Sequence, residues 1–226
     1  DINGTRVLDL ACGSGPLLKM LHDRNKNFKL KGVDMCGEEL SLAKARMSDG
    51  VVDLFQLEAQ NLTAIKNASI DIVLCHWALT LMDPITPVLK EVNRILSSGG
   101  KFAALVNGPM DTAPGYLDVY NLIYKYVQTK LPNYGKIDLG DPRIRATKSL
   151  EHLVGEAFPS AEVSIENNIV SMVGPVAEVS ETAAGFFYAS FILPTELRMR
   201  MLSDLSNLIS VSKKEGRFVM PISRLI

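Results

Sequence analysis

Residues 7–18, VLDLACGSGPLL, constrain this chain more than any other stretch. Val7, Leu8 and Leu10 read as a short strand covered on both faces, as strands of parallel sheets are. Gly13 and Gly15 follow at its carboxyl end, and Pro16 suits the first position of a helix. A turn of this kind lets backbone and free helix N–H groups approach a ligand closely. A dinucleotide fingerprint, Gly-x-Gly-x-x-Gly, would need a third glycine where Leu18 stands, which weakens a nicotinamide site.

Asp9-Leu10-Ala11-Cys12-Gly13-Ser14-Gly15 resembles the first motif, acid-x-Gly-x-Gly-x-Gly, of the class I S-adenosylmethionine-dependent methyltransferases, with Ala11 in place of the first glycine. The extra methyl narrows the methionine end of the implied pocket. Residues 28–33 read as a second strand, closed by Asp34 about twenty residues beyond the glycines, where a ribose-binding acid falls in βαβ sites. GVDMC resembles the family's second motif, which implies that Asp34 holds the ribose, with Met35 and Cys36 beside the adenine. A helix-capping role before Gly37 is the alternative for Asp34. Residues 51–57 read as a third strand. Glu58-Ala59-Gln60-Asn61-Leu62 then resembles the family's acid-Ala loop, which implies that Glu58 meets the adenine amino group and Ala59 supplies a backbone contact. A solvated loop glutamate is the plainer reading.

A fourth buried strand, IDIVLC over 70–75, leads into His76-Trp77-Ala78-Leu79, where the family makes its next contacts. Cys75 and His76 count among the cofactor residues on that resemblance. His76 titrates near neutral pH and sits where open α/β sheets bind ligands. It can serve as a general base, bond the methionine end of the cofactor, or be structural. Trp77 lines the substrate or adenine pocket, or packs behind the sheet. The resemblance implies that Gly13 and Gly15 border the methionine end and that Asp9 orients the turn or meets the cofactor's amino group.

Asp83-Pro84 reads as a helix start, with the acid as cap and proline at the first position. EVNRILSSGGKFAALV resembles the family's helix, glycine turn and fifth strand. Strands alternating with helices predict an α/β fold, a doubly wound, seven-stranded, mostly parallel sheet with helical lid insertions. The resemblance spans roughly residues 6–107. Residues 1–108 are expected to form the cofactor-binding core, and 109–226 the rest of the sheet with the lid, in one domain overall.

Beyond the core, Tyr116, Tyr120, Ile123, Val127 and Leu131 share one helical stripe. Tyr116 and Tyr120, with Tyr124, are candidate substrate residues because the family commonly builds its lid after strand five; a core role is the alternative. Residues 133–145 read as a polar lid loop in which Arg143 and Arg145 either meet an acidic substrate or face solvent. Further expectations are a helix over 147–158, a strand over 162–172, helices over 177–190 and 195–210, and a last strand over 216–225. Phe186, Phe187, Tyr188 and Phe191 form the densest aromatic cluster.

Composition narrows the function classes. With 226 residues and 47% hydrophobic content, one substantial core is expected. A net charge of −1 with scattered Lys and Arg gives no footprint for nucleic acid. No run suits a membrane span and no signal segment opens the chain, so cytoplasm is the default. The three cysteines lack metal spacing, and no metal is assigned. Asp1 opens the chain just before the first strand, as in a fragment of something longer. The expected function is methyl transfer from S-adenosyl-L-methionine, giving S-adenosyl-L-homocysteine, to a small-molecule acceptor, with a homodimer allowed. The alternatives are a non-catalytic cofactor-binding or dimerisation module, a nicotinamide-dependent oxidoreductase, and an aminopropyl transferase, for which no acidic run suited to a polyamine is found. The Asn-Pro-Pro-aromatic and Pro-Cys motifs of nucleic-acid methyltransferases are absent.

Overall fold

The computed structural model describes residues 4–47, 50–135 and 140–226. The strands are β1 (Arg6–Leu10), β2 (Lys29–Asp34), β3 (Val52–Gln56), β4 (Ile70–His76), β5 (Leu96–Asn107), β6 (Ile165–Pro175) and β7 (Glu215–Leu225). They form one sheet in the order β3-β2-β1-β4-β5-β7-β6. Every pairing from β3 to β5 is parallel. At the other end Ser164 and Ile226 exchange both backbone hydrogen bonds, at 2.8 and 2.9 Å, which is an antiparallel pairing. The doubly wound, mostly parallel sheet expected from the alternation of strands and helices is therefore present.

The helices are α1 (Pro16–Arg24), α2 (Gly37–Arg46), α3 (Ile85–Ile95), α4 (Tyr116–Gln128), α5 (Thr147–Ala157), α6 (Val176–Phe186), α7 (Ala189–Ile192) and α8 (Thr195–Ile209). Among the described residues none is long and apolar enough to cross a membrane. Two compact units divide the chain. The first contains the chain up to Asn107, the stretch from Gly140 to Glu166, and Ser223–Ile226. The second contains the chain from Gly108 to Gly135 and Asn167–Ile222.

Alternation along β1 decides which side chains the first unit buries on each face of its sheet. Leu8 and Leu10 enter the core formed with α3 and α5, through Val88, Leu89, Leu150 and Val154. Val7 faces the other way, into a smaller core with Leu18 of α1 and Leu40 of α2. The period of two then sends Asp9 to the Val7 side, so a carboxylate is carried into an apolar face. Helix α3 buries Ile85, Val88, Leu89, Val92 and Ile95, one stripe at helical spacing. Its polar side holds the loop after β3: Arg94 donates to the Leu62 and Ile65 carbonyls at 2.9 and 3.0 Å, and Glu91 accepts from the Leu62 N–H at 2.7 Å.

Some local expectations are corrected. Helix α3 starts at Ile85: Pro84 is the cap residue, with extended ψ of 143°, and no side chain caps the helix. The pull comes from Ile85, which is fully buried in the core. The helix expected over 177–190 breaks at Phe187, because Tyr188 adopts φ of +56°, and resumes as α7. The strand expected over 162–172 begins at Ile165 and continues to Pro175. Within the proposed lid loop, residues 136–139 lie outside the described residues, as do residues 1–3 at the chain's start.

The second unit has its own core, in which Tyr116, Val119 and Ile123 of α4 meet Phe187, Met201, Leu205 and Phe218. Tyr116 is 3% exposed. It is a core residue rather than the pocket residue expected, because its position on the α4 stripe places it on the buried side.

Candidate functional site

The sheet order reverses at β1, which pairs with β2 on one side and β4 on the other. The crevice beyond the carboxyl ends of β1 and β4 is therefore the topological switch point, where open α/β sheets bind ligands. The glycine turn leaves β1 there with three left-handed residues, Ala11 (φ +59°), Gly13 (φ +51°) and Gly15 (φ +75°). Backbone bonds fix it, Cys12 N–H to the Val33 carbonyl and Gly15 N–H to the Cys12 carbonyl, both at 3.0 Å.

The two glycines of the turn do different work. A Cβ on Gly13 would meet only the end of the flexible Glu39 side chain, at 3.7 Å, so that backbone is open to a ligand. A Cβ on Gly15 would lie 3.1 Å from the Ala43 Cβ of α2. Gly15 thus serves the α1–α2 crossing and the left-handed turn. Ala11 holds its left-handed conformation at a cost of about 1–2 kcal/mol. The extra methyl is visible in the sequence, whereas the left-handed conformation appears only in the fold.

Asp34 ties the site together. Its carboxylate accepts the Gly13 N–H at 2.8 Å and the Cys36 N–H at 2.9 Å, so it bridges the turn after β1 and the turn after β2. A carboxylate offers about four acceptor sites, and these two bonds leave capacity for a ligand hydroxyl. The Asp34 carbonyl accepts the Leu57 N–H at 3.1 Å, which draws the Glu58-Ala59 loop to the same end of the sheet. Met35 is exposed beside it, and its carbonyl accepts from Gln56 Nε2 at 3.2 Å.

A cavity of about 300 Å³ opens at the switch point. Four of the expected residues line it: Asp9, Ala11, Gly13 and His76. Cys12, Ser14, Pro16, Leu17 and Glu39 line it too and were not singled out. Glu39, in the first turn of α2, carried a visible signal as an acid opposite the glycine turn, but helix-dipole pairing explained it equally well. Asp34, Met35, Glu58 and Ala59 lie outside that lining, and so does Gly15.

The cavity is acidic. Asp9 is 2% exposed, and among the described residues nothing donates a hydrogen bond to its carboxylate. Burial first, and the nearby Asp34 charge second, push the Asp9 carboxyl up to about 7. The Cys12 thiol is pushed up to about 12, by burial and then by the charges of Asp9, Asp34 and Glu39. Desolvation lowers the His76 pKa, so the ring is neutral at pH 7 and able to accept a proton. Among the described residues no Lys or Arg lines the cavity.

The remaining expected residues fall elsewhere. Cys75 is a correction: it is 2% exposed, packed in the main core, and its thiol is pushed up to about 12 by burial. Register explains this, because Cys75 and Val73 share the face of β4 opposite to Leu74, which pairs with Asp9. Trp77 follows β4 with φ of +62°, its N–H bonded to the Leu105 carbonyl at 3.1 Å and its ring edge-on to His76 at 6.1 Å. Tyr120 stacks on Tyr124 in the second unit, with ring centroids 3.8 Å apart. Arg143 is committed to the buried Asp141 at 2.6 Å rather than left for a substrate.

These features select a ligand class. An unpartnered buried carboxylate beside a second acid attracts a cation and repels a pyrophosphate, which counts against the nicotinamide alternative. The residues thus fit a cationic cofactor: an acidic cavity, open backbone at Gly13, and an Asp34 carboxylate with acceptor capacity to spare.

Comparison with known proteins agrees. Residues 8–104 match a family described as a methyltransferase domain. The chain is 28% identical over 140 residues to a demethylmenaquinone methyltransferase of Lactococcus lactis, covering 61% of this chain and 54% of that protein. It is 30% identical over 165 residues to a ubiquinone/menaquinone biosynthesis C-methyltransferase of Desulfotalea psychrophila, covering 72% of this chain and 63% of that protein. The chain therefore spans only somewhat over half the length of these relatives. Among solved structures, an S-adenosylmethionine-dependent methyltransferase of Mesorhizobium loti superposes with a TM-score of 0.55 at 16% identity, covering 100% of this chain and 92% of the other. A phosphoethanolamine N-methyltransferase of Haemonchus contortus in complex with S-adenosyl-L-methionine gives 0.59 at 14% identity, covering 99% and 49%. Residues 8–104 thus match a methyltransferase domain, on a doubly wound sheet of order β3-β2-β1-β4-β5-β7-β6.

Proposed function

We propose that this chain transfers a methyl group from S-adenosyl-L-methionine to a small molecule, and that the acceptor is a reduced quinone or a similar hydroxylated aromatic ring. The observation that carries the cofactor assignment is the acidic cavity at the switch point, lined by Asp9 and Glu39 and, among the described residues, by no Lys or Arg. The acceptor class is supported by the quinone-pathway names of the two relatives.

In this reading Asp34 accepts the ribose hydroxyls, Glu58 and Ala59 meet the adenine, and Asp9, Ala11 and Gly13 border the methionine end. When bound, the cofactor supplies a methyl group already activated by its sulfonium. The chain's own residues then have to align the acceptor and exclude water, and such positioning can lower a barrier by about 7–11 kcal/mol. A ring hydroxyl becomes a stronger donor of electrons to its ring when deprotonated. His76, neutral and at the cavity, is placed to take that proton, a step usually worth about 10²–10⁴-fold.

The test is transfer of isotope-labelled methyl from S-adenosyl-L-methionine to a demethylated quinol with a short side chain, against catechol and amine acceptors. Labelled quinol supports the reading, and His76→Asn should then lower kcat by about 10²–10⁴. Cofactor binding without transfer to any acceptor would favour a non-catalytic binding module.

A further inference from the structure

Asp9 is the one acid of the first unit buried in an apolar face with no hydrogen bond to its carboxylate among the described residues, and it borders the cavity. Burial and the neighbouring Asp34 charge both disfavour a negative charge there. Asp34 stands at the end of β2 and Glu39 on the first turn of α2, with the neutral Cys12 thiol in the glycine turn and neutral His76 at the end of β4; the Cys75 thiol senses the Asp9 charge from the opposite face of β4. None of them is a cation at pH 7. A charge in such a place persists only when a positive ligand arrives.

Resting on the methyltransferase reading, we propose that Asp9 is a proton-linked counter-ion that discriminates the cationic cofactor from its uncharged thioether product. In the free protein at pH 7 the Asp9 carboxyl holds a proton in about half of the molecules. Binding of the sulfonium compound expels that proton to solvent and leaves the carboxylate paired with positive charge. Methyl transfer removes the sulfonium charge, the carboxylate regains a proton from solvent, and the product is held less firmly. The amino and carboxylate groups are common to both compounds, so a comparison of the two isolates the sulfonium.

The experiment is calorimetric titration of the protein with S-adenosyl-L-methionine and with S-adenosyl-L-homocysteine at pH 7, each in phosphate and in Tris, whose ionisation enthalpies differ. About half a proton should be released with the sulfonium compound, and markedly less with the thioether. Between pH 6 and pH 8 the affinity ratio of the two should shift about tenfold in favour of the sulfonium compound. Asp9→Asn should abolish both effects. Equal proton release with the two compounds, or release that survives Asp9→Asn, would overturn the inference. If Asp9→Asn does not fold, the two-buffer comparison on the parent protein decides alone. Failure of either compound to bind would instead overturn the methyltransferase reading on which the inference stands.

Discussion

Replacing Asp9 with Asn should stabilise this protein at alkaline pH and leave it nearly unchanged at acid pH. The carboxyl titrates near 7 in the folded chain, against an ordinary value of 3.8. A folded value raised above the unfolded one means that the native state holds the proton more tightly. Its contribution is fully present below about pH 4 and is lost as pH rises through 7. Three units at about 1.4 kcal/mol each set the full cost of ionising Asp9 in place at roughly 4 kcal/mol. Local relaxation and water entry reduce this, so about 2–4 kcal/mol is expected. Asparagine has the same shape and does not ionise. Its unpaired amide stands where the protonated carboxyl was also unpaired, so that penalty largely cancels in the comparison. The assay is urea unfolding of parent and variant at pH 4.5 and pH 8.5 without cofactor, followed by fluorescence of Trp77, the single tryptophan. The variant should gain about 2–4 kcal/mol at pH 8.5 and less than about 1 kcal/mol at pH 4.5. A variant less stable than its parent by the same amount at both values would refute the reasoning, since Asp9 would then be held by a favourable interaction.

Other perturbations have equally definite signs. Gly15→Ala forces a Cβ to 3.1 Å from Ala43 in a left-handed residue, and should cost about 2–4 kcal/mol by thermal unfolding. Ala11→Gly removes about 1–2 kcal/mol of backbone strain against about 0.4–1 kcal/mol of added unfolded-chain entropy, so a gain of up to about 1 kcal/mol is expected and a loss would contradict the assigned conformation. Arg94→Ala leaves the Leu62 and Ile65 carbonyls and Glu91 without their shared donor, and should cost about 2–4 kcal/mol while making residues 57–69 markedly easier to cleave in limited proteolysis.

The first half of the fold was legible because its strands are buried on both faces and each ends in a marked turn. VLDL, GVD and IDIVLC read as apolar runs, and the glycines and Asp34 mark where β1 and β2 stop. What the residues do at those ends was less legible. The spacing marks Asp34 as a ribose acid or a cap, yet it also accepts the Gly13 N–H, a contact that exists only once β1 and β2 are neighbours. Cys75 adjoins His76 in sequence, but strand alternation sends it into the core. Glu39 needed the rotational phase of α2, and Tyr116 that of α4. Beyond Asn107 no motif fixes which unit a segment joins, so the return of residues 140–166 to the first unit depends on distant packing such as Asp141 N–H on the Met82 carbonyl.

The central claim is that the switch-point cavity takes a sulfonium cofactor, with Asp34 holding its ribose. Its most direct test is calorimetric titration with S-adenosyl-L-methionine, with NADH as control, on the parent protein and on Asp34→Ala checked for folding by circular dichroism. The account predicts binding of S-adenosyl-L-methionine, no heat with NADH, and at least about tenfold weaker binding in the folded variant, as loss of hydrogen bonds to a charged acceptor implies. NADH binding without S-adenosyl-L-methionine binding, or unchanged affinity in Asp34→Ala, would contradict it.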